Sequence, residues 1–167
     1  MWKSTSDTWE SNLSDLLSNG NAEIGETAAA EVNGKKYSTL AEAVESAEAG
    51  DTVKLLCNTS GDGIVIAKNL TIDFNGFSYT VNGTLVGSPK SETNCFQLLA
   101  GADSANPVNI KLKNGKIISS KLAKWGPTTD NDEKNPKHNT GANIIVQNYS
   151  NLTLDNMTID GNQTAEN

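Results

Sequence analysis

The chain contains no arginine: all 13 of its basic residues are lysines, set against 20 acidic ones for a net charge of −7. Nucleic-acid binding draws most of its affinity from neutralising phosphates, so an acidic chain of this kind is a poor candidate for it. The planar bidentate clamp that arginine offers to carboxylates and phosphates is missing as well. Cysteine is scarce, with Cys57 and Cys95 the only two. Two cysteines make no disulfide framework, and they fall in different strand columns of the alignment below, so buried free thiols are expected. There is one histidine, His138, with no serine, cysteine or second histidine in a recognisable catalytic arrangement around it. No apolar run reaches the roughly 18 residues that a membrane-spanning helix needs. The opening Met1-Trp2-Lys3-Ser4-Thr5-Ser6 lacks the apolar core of a signal peptide, which leaves a cytosolic chain or a signal lying outside this stretch.

What the chain has instead is repetition. Asn69-Leu70-Thr71-Ile72-Asp73, Asn109-Ile110-Lys111-Leu112-Lys113 and Asn151-Leu152-Thr153-Leu154-Asp155 are three versions of one short alternating strand, and Val53-Lys54-Leu55 is a weaker fourth. In each, two apolar residues flank a polar one, so alternation turns the apolar pair inward and the polar residue to water. Ile64-Val65-Ile66, Phe96-Gln97-Leu98-Leu99 and Ile144-Ile145-Val146 form a column that precedes this one. Residues 77–81, Ile117-Ile118 and Met157-Thr158-Ile159 form a column that follows it. Three strands per turn, repeated about three times, describe a solenoid whose repeats hide their apolar faces against one another. The 36 % hydrophobic content is low for a compact globule and fits an elongated stack.

Asn75, Asn114 and Asn156 recur where the second strand turns into the third. Asparagine tolerates left-handed backbone and can bond laterally, so the three are expected to stack as a structural ladder. Two residues separate Ile72 from Asn75 but only one separates Leu112 from Asn114, which predicts one extra residue and a bulge in the first copy. Two long insertions, 82–94 and 119–140, follow the third strand and would emerge on one side of the solenoid, often the binding side. A shorter one spans 101–107.

Two regions flank this pattern. Residues 1–30 form a separate unit: Trp9, Leu13, Leu16 and Leu17 mark one face of a helix with Asp7 and Glu10 as its capping box, and a linker follows. From 31 to 167 runs an N-terminal cap with about three coils. In the cap, Asn33-Gly34 is a hairpin turn, and Ser38 or Thr39 caps a helix over 40–49 with Leu40, Ala43, Val44 and Ala47 on its inner face and Gly50 as its stop.

On these residues the chain resembles the right-handed parallel β-helix of the pectate-lyase-like superfamily. The segment Tyr37-Ser38-Thr39-Leu40-Ala41-Glu42-Ala43-Val44, continuing through Gly50-Asp51-Thr52-Val53, is similar to the opening helix and first strand of many of its surface proteins. Leu70-Thr71-Ile72-Asp73-Phe74-Asn75-Gly76 is similar to their first full coil. The fold class expected is therefore all-β: a single-stranded parallel β-helix with three strands per coil and an N-terminal capping α-helix. The resemblance covers about residues 31–161. It implies an extracellular or cell-surface location and says little about activity, since the superfamily holds lyases, hydrolases, tailspikes and non-catalytic adhesins.

No catalytic residues are assigned. Lyases of this family use outward acidic calcium ligands with a basic residue, whereas here the outward position reads Asp73, Lys113, Asp155, a mixed column that suits cross-strand pairing. Asp130, Asp132 and Glu133 could offer oxygen ligands to Ca2+, but the EF-hand spacing and its glycine are absent and lysines sit beside them. Trp125, with its flat apolar ring, is the candidate for contact with a sugar. Eight Asn-x-Ser/Thr triplets follow from composition and fall partly on strands. The expected function is a non-catalytic scaffold or adhesin segment that touches a polysaccharide or host glycan through its loops. The rivals are the first part of a polysaccharide lyase or glycoside hydrolase, and a tailspike-like oligomer. The polar tail after Ile159 is too short to cover the last coil, so that end is expected to meet a continuation of the solenoid or another subunit, with neither nucleic acid nor membrane insertion involved.

Overall fold

The computed structural model describes residues 27–89, 91–102, 105–120 and 144–162. They are mostly β, with one short helix. The N-terminal unit expected over 1–30 lies outside the described residues except for its last few positions.

The chain enters through β1 (Ala30–Val32) and β2 (Lys35–Tyr37), which pair antiparallel. Asn33 and Gly34 join them with φ of 51° and 81°, the left-handed pair that a two-residue hairpin needs to match strand twist. Helix α1 (Leu40–Ser46) follows. Of the two candidate caps, Thr39 serves: its Oγ1 accepts from the Glu42 N–H at 3.1 Å, and Glu42 returns the favour to the Thr39 N–H at 3.3 Å. Such a box is worth about 1 kcal/mol. The expected inner face is buried, with Leu40, Ala43, Val44 and Ala47 all at 4 % exposure or less. The helix stops three residues earlier than expected, at Ser46, and Gly50 is not its terminus. Lys68 Nζ takes the carbonyls of Glu45 and Ala47, and the Asp51 carboxylate takes the Glu48 N–H at 2.8 Å, so the groups that would extend the helix are already engaged.

Beyond the helix, β3 (Thr52–Leu55), β6 (Leu70–Asp73), β10 (Asn109–Ser119) and β12 (Asn151–Asp160) stack side by side, all parallel. The registers Leu70–Ile110–Leu152 and Ile72–Leu112–Leu154 match the predicted column. The first copy does not: Val53 lies beside Ile72 rather than Leu70, a slip of two residues. A two-residue slip keeps the inward set inward, so alternation alone cannot detect it. The third column also holds, with Tyr79 of β7 (Ser78–Val81) beside Ile117, and Ile117 beside Ile159. It gains a member that sequence did not suggest, β4 (Thr59–Gly61), parallel to β7.

A second sheet contains β5 (Ile64–Ile66), β9 (Ser91–Leu98) and β11 (Ile144–Asn148), again parallel. Here Val146, not Ile144, lies beside Phe96. The 82–94 insertion is no plain loop: β8 (Val86–Ser88) folds back antiparallel on β9, which makes this sheet mixed, as the antiparallel pairing of β1 with β2 and β3 makes the first. Between the sheets sit Val53, Leu55, Ile72, Phe74, Phe96, Leu98, Ile110, Leu112 and Ile117, each fully buried. Tyr79 meets Phe96 edge to face at 6.0 Å, and its hydroxyl donates to the Asp62 carbonyl at 2.6 Å. Cys57 and Cys95 are free thiols; Cys95 is buried, but Cys57 is only half-buried, beside the Ala28 carbonyl at the chain's entry.

The three corner asparagines share one backbone state, with φ of 54°, 60° and 53° at Asn75, Asn114 and Asn156. In β10 and β12 this single left-handed residue bends a strand that continues past it. In the first copy the register demands two extra residues at the corner, not one, since Asp73 and Ser78 face Lys113 and Lys116. Phe74 to Phe77 forms a closed turn there, with the Phe77 N–H on the Phe74 carbonyl at 2.8 Å, and strand β6 ends. This bulge presses on the next repeat: a Cβ at Gly115 would stand 2.2 Å from Phe74 Cβ and 2.4 Å from the Phe77 carbonyl. The position beside Gly115 in β12 holds Met157, which has no such bulge against it.

Candidate polar binding groove

The asparagine that leads each copy of the repeat, rather than the one at its far corner, builds the row of lateral contacts. Asn69 immediately precedes β6, while Asn109 and Asn151 begin β10 and β12, and the residues that follow them, Leu70, Ile110 and Leu152, lie in register. The Asn109 backbone N–H donates to Asn69 Oδ1 at 2.8 Å, and Asn151 Nδ2 donates to Asn109 Oδ1 at 3.2 Å. At the expected corner the side chains reach different acceptors. Asn75 Nδ2 donates to the Leu55 carbonyl at 3.3 Å, and Asn114 Nδ2 to Asp73 Oδ1 at 3.2 Å. Asn75, Asn114 and Asn156 therefore share a conformation, while the side-chain row lies at the start of the strands. The signal was present in the first residue of every repeat.

A groove of about 540 Å³ runs along this row, lined by Asn69, Asn109 and Asn151, by Thr71, Lys111 and Thr153, and by the apolar Leu70, Ile110 and Leu152 between them. Its end is shaped by Asn148 and Ser150, whose side chains bond each other at 2.7 Å in a tight turn before β12. Strand spacing sets these residues about 4.8 Å apart along the groove. The lining thus offers a regular series of amide and hydroxyl groups with one lysine, interleaved with apolar side chains.

The charges around it are already paired. Lys111 meets Asp155 at 2.8 Å, Lys113 meets Asp73 at 3.1 Å, and Lys116 meets Asp160 at 2.7 Å. The mixed outward column Asp73, Lys113, Asp155 does pair across strands at its Asp73 end, while Asp155 turns to Lys111. Partial burial opposes ionisation of Asp73, but hydrogen bonds from the Asn75 N–H, Asn114 and Lys113 outweigh it and hold the carboxyl below its ordinary value. Lys111 lowers Asp155 and Lys116 lowers Asp160 in the same way. These carboxylates are ionised acceptors near neutral pH, which does not suit a proton donor.

Asn94 and Gln97 form a second polar cluster that sequence reasoning missed. Both donate to Gln147 Oε1, at 2.7 and 3.0 Å, across β9 and β11. Both are buried: Gln97 lies in a strand read as apolar and Asn94 at the end of the 82–94 insertion read as a loop, so neither gave a periodic signal.

Trp125, His138 and the calcium candidates Asp130, Asp132 and Glu133 lie outside the described residues. Among the described residues no group of three or more His, Cys, Asp or Glu side chains could hold a metal. Of the Asn-x-Ser/Thr triplets, those at Asn69 and Asn151 use their asparagines in the row, and Asn58 Oδ1 accepts from the Ser78 N–H at 2.9 Å. No protein-family model, curated protein or solved structure matches the chain.

Proposed function

We propose that the chain is a segment of a right-handed parallel β-helix of the pectate-lyase-like kind, three strands to a coil and capped by α1. On this reading it is a non-catalytic scaffold or adhesin segment, extracellular or at a cell surface, whose polar groove contacts a glycan. The observation that carries the reading is the parallel, in-register stack β6–β10–β12 with the hydrogen-bonded row Asn69–Asn109–Asn151 along its edge. A rigid row of amides and hydroxyls at one strand spacing meets the hydroxyls of a linear sugar chain without ordering flexible loops on binding. Trp125 on the long insertion would add a stacking face.

Binding to immobilised neutral and uronic-acid polysaccharides, with and without calcium, tests this directly. Weak binding is expected, and the paired replacement Thr71→Ala with Thr153→Ala should reduce it while leaving the asparagine row intact. Absence of binding to any polysaccharide, or binding untouched by that pair, would remove the groove from the reading. Release of unsaturated oligosaccharides from a uronic-acid polymer would replace the scaffold with a lyase.

A further inference from the structure

The last described strand has one edge and one apolar face without cover. Among the described residues β12 pairs with β10 alone. Leu154 and Ile159 are 49 % and 38 % exposed, whereas Leu112 and Ile117 beside them on β10 are at 0 %. A free edge of ten residues backed by inward apolar side chains is a template for pairing with another strand.

The order of residues along β12 says what fits. Counted outward from the Asp155–Asn156 junction, the strand is a palindrome in chemical class. Leu154 mirrors Met157, Thr153 mirrors Thr158, Leu152 mirrors Ile159, and Asn151 mirrors Asp160. A two-fold interface pairs residue i with j and j with i, so a self-complementary order is what such an interface requires. Antiparallel pairing of two β12 strands about that junction sets apolar against apolar and threonine against threonine. Each aspartate faces an asparagine of the other copy: Asp155 opposite Asn156, and Asp160 opposite Asn151. No like charges stand directly opposite. The left-handed Asn156, at φ 53°, places the strand's bend at the junction, so the two arms exchange under the two-fold with their inward faces aligned.

The interior strand β10 lacks this symmetry. The same mirror would set Lys111 against Lys116 and Leu112 against Gly115. The opposite end of the stack is closed to such a role, because β1, β2 and α1 cover Val53 and Leu55, both at 0 % exposure. Among the described residues the apolar face at that end is therefore already covered.

We propose that two copies of this chain dock through antiparallel β12–β12 pairing about a two-fold axis at the Asp155–Asn156 junction. The inference goes beyond the glycan reading and does not depend on it, since polysaccharide binding can fail with the dimer intact. Sedimentation velocity on the full chain should show a concentration-dependent species of about twice 17.7 kDa. Thr153 and Thr158 are exposed and face each other across the axis, which makes them the test of register. Thr153→Glu with Thr158→Glu opposes carboxylates at two symmetric places and should raise the dissociation constant about tenfold. Thr153→Lys with Thr158→Glu opposes unlike charges and should keep or tighten the dimer. Far-UV circular dichroism and melting confirm that both variants fold. A monomer at every concentration overturns the proposal and leaves the face to a different segment or chain. So does a trimer or larger species, or an equal response of the two variants.

Discussion

Strands β10 and β12 carry the same repeat and live in different surroundings. Leu112 lies between Ile72 and Leu154 and is at 0 % exposure; Leu154 has, among the described residues, a strand neighbour on one side only and is 49 % exposed. Their own alternation is identical, so the difference comes wholly from what is stacked on them. In such a stack the apolar face of a strand is a demand for a neighbour, and burial belongs to the pair rather than to the strand.

Truncation should separate the two most widely. Leu112→Ala removes buried contacts on both sides and is expected to cost about 2–5 kcal/mol in urea unfolding. Leu154→Ala should cost well under half of that at concentrations where the chain is monomeric, and its cost should rise with concentration if the two-fold pairing covers it. Equal costs at low concentration would mean that the final strand is covered within the chain.

A smaller contrast lies at the corner. Gly115→Ala drives a methyl group into Phe74 and the Phe77 carbonyl, and a loss of about 1–3 kcal/mol is expected from overpacking. Met157→Gly, at the matching position of β12, relieves no clash and should lower the melting temperature only through lost burial and added chain freedom. A Gly115→Ala protein as stable as the parent would show that the Phe74–Phe77 bulge yields.

The smallest effect concerns the carboxylates. Asp73 accepts three hydrogen-bonding partners beside β10, whereas Asp155 is an exposed carboxylate paired with Lys111. Asp73→Asn should cost about 1–2 kcal/mol at neutral pH, while Asp155→Asn should leave the melting temperature almost unchanged. Since the folded state lowers the Asp73 carboxyl, its contribution is present above the unfolded value of about 3.9 and is lost as pH falls through the lower folded value. Melting between pH 2 and 6, ranges set by those carboxylate values, should show a shallower acid limb in Asp73→Asn than in Asp155→Asn. Identical acid limbs would count against a structural role for the Asp73 bonds.

Much of the architecture was open to reading from residue order. Alternation in Leu70-Thr71-Ile72, Ile110-Lys111-Leu112 and Leu152-Thr153-Leu154 placed those strands side by side, and the structure pairs them in that register. Local chemistry did as well: the Asn33-Gly34 hairpin and the cap of α1, placed at Ser38 or Thr39 and found at Thr39, depend on contacts within a few residues. The end of α1 was a local failure, since Gly50 is not its stop; the other failures were of longer range. The slip of Val53 to Ile72 conserves the inward pattern and so leaves no trace in it. Strand β4, Thr-Ser-Gly, has no apolar signature and exists because β7 offers it an edge. The hairpin of β8 on β9 turned a presumed loop into sheet for the same reason.

The candidate groove divides along the same line. That asparagines would stack was legible; which of the two recurring sets would bond laterally was not. Asn75, Asn114 and Asn156 keep the left-handed backbone expected of them, yet the Asp73 carboxylate draws off the amide of Asn114, and the first-copy bulge sets Asn75 against the Leu55 carbonyl. Asn69, Asn109 and Asn151 form the row: the Asn109 amide turns to the Pro107 carbonyl, but its Oδ1 stays open to Asn151 and its backbone N–H to Asn69. Residue order thus decided the strands, their inward faces and the turns, because those follow from backbone sterics and side-chain polarity within a few residues. Register, the bulge and the choice of asparagine row were left to packing, where an acceptor or an unpaired edge supplied by a distant segment decides which of several locally equal arrangements has the lowest energy.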